Sequence, residues 1–187
     1  MHLIKSLFSK EEFKVVSVIF LTIVVFTVGN FLVAERKGRD AQRKADIGNM
    51  ETALERFRTD HGSYPESRNG KIVACDSGQK DSQGMIIYEA CEWGNSGFPE
   101  RVPSDPLSKR GYSYHYISSI HRYQIYASLE GSSEAQYDEL IANRNLFCGE
   151  KLCNMGLGSP RTPLDKSLEE YENELQQQNI DAAKKNK

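Results

Sequence analysis

Val15-Val16-Ser17-Val18-Ile19-Phe20-Leu21-Thr22-Ile23-Val24-Val25-Phe26-Thr27-Val28-Gly29-Asn30-Phe31-Leu32-Val33-Ala34 is twenty residues without a charge. At about 1.5 Å per residue an α-helix of this length reaches roughly 30 Å, the thickness of a bilayer's hydrocarbon core. In lipid every backbone N–H and C=O must be bonded within its own segment, so the run has to be helical. The helix does not stop there. Glu35 to Asp46 is charged, rich in helix formers and free of proline. Beyond it Ile47, Met50, Leu54 and Phe57 recur at spacings of three, four and three, which places them on one stripe of a helix. Gly62 and then Pro65 end it. The spacing therefore predicts one helix over residues 15–61, apolar in its first half and amphipathic in its second. Burying the stripe is worth about 1.5–3 kcal/mol per side chain, and it needs a partner surface.

The best partner in the chain is a hairpin over residues 112–127. Tyr112, Tyr114 and Tyr116 alternate with Ser113, His115 and Ile117, and Tyr123, Ile125 and Ala127 alternate with Gln124, Tyr126 and Ser128. With Ser118 to His121 as the loop, Tyr116 faces Tyr123, Tyr114 faces Ile125 and Tyr112 faces Ala127, all on one face. His115 falls on the opposite face and reads as a solvated strand residue. The expected fold is α+β: a long N-terminal helix, transmembrane then amphipathic, packed on a small antiparallel sheet in a single-pass membrane protein.

The rest of the chain divides around these elements. Residues 1–14 form a polar head, 15–34 the membrane helix, 35–157 one folded domain, and 158–187 a tail. Lys71 to Cys75 and Met85 to Tyr88 are short strand candidates, and Asp76 to Gly84 between them is a polar, glycine-containing loop. Trp93, the only tryptophan, reads as packing over a loop beside Cys91. Pro103-Ser104-Asp105-Pro106 is a turn cluster, and residues 129–158 an irregular return. In the tail Ser167-Leu168-Glu169-Glu170 is a capping box that opens a short helix, and Asn179 to Lys187 has the composition of a disordered end.

Four cysteines, Cys75, Cys91, Cys148 and Cys153, follow the membrane segment. Two disulfides, free thiols and a zinc site are the three readings, and the C-x-x-C pairs that zinc favours are absent. If they are bridged, nearness in sequence favours Cys75–Cys91 and Cys148–Cys153, among the three connectivities that four cysteines allow. The net charge of −2 gives no argument for a nucleic-acid partner. No G-x-S-x-G, phosphate loop or H-E-x-x-H stands in the chain, and the four histidines are scattered, so no enzyme is expected.

The membrane run followed by the pattern RDAQRKAD, ALE and GSYP over residues 39–65 resembles the type IV pilin-like proteins, closest to the pseudopilins of type II secretion. Similarity continues in Pro103 to Leu107 and in Tyr123 to Leu129. The resemblance implies a structural subunit of a type II secretion or type IV pilus-like filament, in the cytoplasmic membrane of a bacterium, with the N-terminus inside and the C-terminal domain outside. It implies as partners other pilin-like subunits, a prepilin peptidase, an assembly ATPase and a platform membrane protein. In the family a leader is cut before an aromatic residue, with a glutamate four residues further on; Leu7 and Phe8 with Glu12 fit that spacing. The sequence departs from the pattern in two places: Leu7 stands where the leader ends in glycine, and Lys10 and Glu11 replace apolar residues. Those departures favour a rival, a signal-anchored extracytoplasmic binding module that does not polymerise. Positive charges conflict with the implied orientation, because Lys5, Lys10 and Lys14 precede the span while Arg36, Lys37, Arg39, Arg43 and Lys44 follow it. Major pseudopilins also carry a calcium loop after their last hairpin, for which Glu130, Glu134 and Asp138 are the candidates here. The family's aspartate- and glycine-rich calcium motif is missing, so the same acids also read as solvated surface, and no cofactor is expected.

Overall fold

The computed structural model describes residues 10–95, 97, 98 and 101–185. Helix α1 runs Lys10–His61 and starts earlier than the apolar run alone predicts. It ends where Gly62 adopts a left-handed φ of +79° and its N–H bonds back to the Arg58 carbonyl at 2.8 Å. The chain forms two compact units that divide after Arg39.

In the first unit the apolar side chains of α1 from Phe13 to Val33 are exposed. The three hydroxyls of its apolar run are satisfied within the helix. The hydroxyls of Ser17, Thr22 and Thr27 donate to the carbonyls of Phe13, Val18 and Ile23, each four residues back, at 2.7, 2.8 and 2.8 Å. Such back-bonding leaves no free hydroxyl for an apolar surrounding to penalise.

The second unit is built from three small antiparallel sheets. β1 (Glu66–Arg68), β2 (Lys71–Lys80) and β3 (Ile86–Ala90) form the first, in that order. β4 (His115–Ser118), β5 (Tyr123–Ala127) and β8 (Met155–Gly158) form the second, with β5 central. β6 (Phe147–Cys148) and β7 (Lys151–Leu152) form a two-stranded ribbon. Two short helices complete the unit, α2 (Glu139–Ala142) and α3 (Leu168–Lys185).

The predicted stripe is the helical wall of the core. Ile47, Met50 and Leu54 are buried, Phe57 packs at the margin, and they meet Tyr114, Tyr116, Tyr123, Ile125 and Ala127. The hairpin therefore covers the helix with the predicted face. Its register is different: Tyr116 lies opposite Ile125 and Ser118 opposite Tyr123, a shift of two residues. A shift of two preserves the faces, because side chains alternate with a period of two. The turn is the cause. Ser119 donates its N–H to the Arg122 carbonyl at 2.8 Å, so the connection closes on Ser119 to Arg122, one residue later than expected.

Other parts also differ from the sequence reading. His115 is not solvated: it is half-buried, its Nδ1 lies 2.9 Å from the Phe147 carbonyl, and it packs against Gly70. β2 runs on through Asp76 to Lys80, so the turn shrinks to Asp81–Gly84, and β1 adds a strand. The return contains β8, which gives β5 a second neighbour. α3 continues past Asn179 to Lys185, where the composition read as disordered. The tail is docked rather than separate, because Gln124 Nε2 donates to the carbonyls of Pro163 and Lys166 at 2.5 and 2.8 Å. Ser167 caps α3, accepting the Glu170 N–H at 3.1 Å, as the capping box predicts. Both favoured disulfides are formed, Cys75–Cys91 and Cys148–Cys153, each with Cα atoms 5.2 Å apart. Trp93 packs edge-on to Tyr114 with ring centroids 5.5 Å apart, beside Cys91 as expected.

Candidate functional site

The heptad-like spacing of the α1 stripe continues toward the N-terminus through residues 43 and 40, and these positions are charged. Arg43 and Asp40 are both fully buried. A guanidinium taken out of water is tolerated only when its donors meet acceptors. Arg43 meets three carboxylates. Its Nε and Nη2 bind Asp105 in a two-point fork at 2.7 and 2.9 Å. Its Nη1 donates to Asp40 at 2.8 Å and to Glu130 at 3.0 Å. The Tyr112 ring covers its face, 4.6 Å from the guanidinium carbon. Burial alone would lower the affinity of Arg43 for its proton, but the bonds to Asp105, Glu130 and Asp40 outweigh it and raise the pKa above the ordinary arginine value.

Two of the acids in the cluster also fix a backbone segment. Asp40 accepts the N–H groups of Glu130 and Gly131 at 2.9 and 3.0 Å, which ties the start of the return loop to α1. Asp105 accepts the Leu107 N–H at 2.7 Å, which shapes the turn after Pro103. The next residue, Lys44, binds Glu134 at 2.5 Å, and about one turn beyond Arg43 Asp46 accepts the Tyr114 hydroxyl at 2.5 Å. Burial, and secondarily the charge of Asp105, hold the Asp46 carboxyl above its usual range, against the lowering effect of the Tyr114 bond. Burial and the Asp46 acceptor push the Tyr114 phenol up in turn. The arrangement is a charged joint between the helix and two loops. Its hydrogen bonds and ion pairs hold α1 and the two loops in one position relative to each other.

The sequence-predicted site residues fall as follows. Leu7 and Phe8 lie outside the described residues. Glu12 lies in the first turns of α1. The calcium candidates are not brought together: Glu130 is held by Arg43, Glu134 by Lys44, and Asp138 caps α2 by accepting the Leu140 N–H at 2.8 Å. Among the described residues no three histidine, cysteine or acidic side chains form a group suited to a metal. Sequence reading missed Asp40, Arg43 and Asp105. The signal was present, since 40, 43, 47, 50, 54 and 57 make one unbroken series of three- and four-residue steps.

Among the described residues one helix, α1, is long and apolar enough to cross a membrane. A family model described as Type II secretion system (T2SS), protein G, matches residues 30–139. That stretch is more than half of the chain and takes in the end of the apolar run, the charged joint and the hairpin. No curated protein and no solved structure matches the chain. Members of that family are structural subunits that assemble with other components of the secretion system. The match, together with the single apolar N-terminal helix, establishes that the chain belongs to the type II secretion protein G family, as a pseudopilin subunit.

Proposed function

We propose that this pseudopilin assembles into a filament through the apolar half of α1, with its head held outside the bacterial cytoplasmic membrane and residues before the span inside. One observation carries the reading: from Phe13 to Val33 the helix exposes large apolar side chains around its whole circumference, and none is covered by the chain itself. A surface of that kind has to be covered by lipid before assembly, and packing against the same surface of neighbouring subunits would cover it afterwards. The disulfides support an oxidising compartment for the head, against the bias of the positive charges.

In this reading Glu12 registers one subunit against the next, after processing between Leu7 and Phe8. The machinery is that of the family: a prepilin peptidase, an assembly ATPase and a platform membrane protein. The test is the N-terminal mass of protein extracted from its own membranes, combined with filament counts for Glu12→Ala. A start at Phe8, with filaments reduced at least tenfold in the variant, is the expected result. A start at Met1 with unchanged assembly would remove the processing and registration roles. A start at Met1 with no filaments would instead support a signal-anchored binding module.

A further inference from the structure

Two exposed apolar patches lie far apart in the sequence of the head, and their surroundings carry opposite charge. The first is the outer part of the β2–β3 arm. Met85, Ile86, Ile87 and Tyr88 are consecutive, and all four are exposed, Met85 to 65%. β3 is an edge strand, paired only with β2. Three exposed large apolar residues on a strand with a free edge, with Met85 just before it, form an adhesive surface that a solitary domain would avoid. The Cys75–Cys91 bridge ties the base of this arm to the core. Within residues 76–90 the charged side chains are Asp76, Asp81 and Glu89 against Lys80, so the arm itself is net acidic; Arg56 and Arg68 flank only its inner end, beside Tyr88.

The second patch is the β6–β7 ribbon. Phe147 and Leu152 are directly opposite one another and both are exposed, at 55% and 42%. The Cys148–Cys153 bridge holds the ribbon rigid, and β7 also has an edge without a strand partner. Segment 109–113 lies alongside: Gly149 bridges to Tyr112, and Glu150 donates its N–H to the Gly111 carbonyl at 2.6 Å. The ribbon and segment 109–113 carry Lys109, Arg110 and Lys151 against Glu150, and the acids beside them are paired, Glu92 with Lys71 and Asp105 with Arg43, so this surface is net basic.

We infer that the β2–β3 arm of one copy docks on the β6–β7 ribbon of a second copy. Apolar side chains meet at the centre, and the acidic arm is matched to the basic ribbon at the rim. The charge match selects this partner over another arm, since two arms would bring like charges together. Two different patches of one molecule in contact make a head-to-tail interface, which propagates instead of closing as a dimer. The docking therefore adds a lateral contact between heads to the helix packing proposed above, and it does not depend on that packing.

The test places a photo-crosslinking benzoylphenylalanine at Ile87 in the full chain in its membranes, with a parallel label at Val24 that reports helix packing. The expected result is a ladder of adducts from position 87, with the crosslinked peptide mapping to residues 146–153 of a second copy. Asp76→Lys with Glu89→Lys should cut the yield at least fivefold, as should Lys109→Glu with Lys151→Glu. Combining the reversed arm with the reversed ribbon should restore the yield. Adducts mapping to another arm, to lipid or to a different protein would overturn the inference, and so would the absence of adducts at 87. If Val24 still gives a ladder in that case, helix-driven assembly stands while head docking falls.

Discussion

Replacing Arg43 by methionine tests whether the charged joint holds the head together. Methionine keeps much of the length of the side chain and fits a helix, so backbone propensity is little changed. What is lost is the guanidinium that binds Asp40, Asp105 and Glu130 together, and the first two of these acids are almost wholly buried. Removing one partner from a buried ion pair costs about 3–5 kcal/mol, because the remaining charge stays out of water without compensation. At roughly 2–4 °C per kcal/mol for a unit of this size, the melting temperature should fall by about 6–20 °C. Arg43→Lys keeps the charge but loses the two-point fork onto Asp105, and should fall between methionine and the parent. Trp93 fluorescence of the full chain in detergent is a suitable assay, because that ring packs on Tyr114, whose hydroxyl reaches Asp46 on the same helix. A loss below about 1 kcal/mol for Arg43→Met, the range of an exposed pair, would refute the view that the joint is a buried and strongly coupled unit.

Three further outcomes are expected. On chain-entropy grounds the Cys75–Cys91 bridge, which spans 16 residues, should contribute about 3 kcal/mol and the Cys148–Cys153 bridge, which spans 5, about 2 kcal/mol; thermal melts of the paired serine variants should follow that order, and the reverse order would contradict it. Burial holds the His115 pKa below its ordinary value, against the raising effect of the Phe147 carbonyl. Between pH 7 and 5 the unfolded chain therefore takes up a proton that the folded ring resists, so stability falls as pH drops through about 6.5. His115→Gln should flatten that slope in melts at the two pH values, and equal slopes would count against the assignment. Because Glu130, Glu134 and Asp138 are each bonded elsewhere, millimolar calcium should leave the melting temperature unchanged; a rise of several degrees would show that the loop rearranges around the ion.

The helix, its stripe and the hairpin face were legible because each rests on a period repeated several times over. Ile47, Met50, Leu54 and Phe57 needed only counting. The cysteine pairs followed from nearness alone. The charged joint was harder to read, because Asp40 and Arg43 sit in a run of charges that looks like ordinary solvated helix, and Asp105 sits between two prolines that look like an ordinary turn. Their burial depends on partners 62 and 87 residues away from Arg43. β8 was missed for a related reason: Met155-Gly156-Leu157-Gly158 has little strand propensity, and Gly156 serves because a side chain there would strike the Tyr126 ring. The hairpin register turned on where the four-residue loop falls, one residue later than expected, which alternation by itself does not determine.

The stepwise repeat of the α1 stripe has an ambiguity built into it. A surface that recurs every three or four residues offers nearly the same apolar face after sliding by one turn, so hydrophobic matching alone tolerates a helix seated too high or too low. Arg43 removes that tolerance. Only one seating puts its fork on Asp105 while Asp40 reaches the amides of Glu130 and Gly131. A slip of one turn, about 5.4 Å, would strand a cation on one side and a pair of acids on the other. The joint thus acts as a vernier inside the head, fixing the height at which the stripe is seated against the hairpin and the return loop.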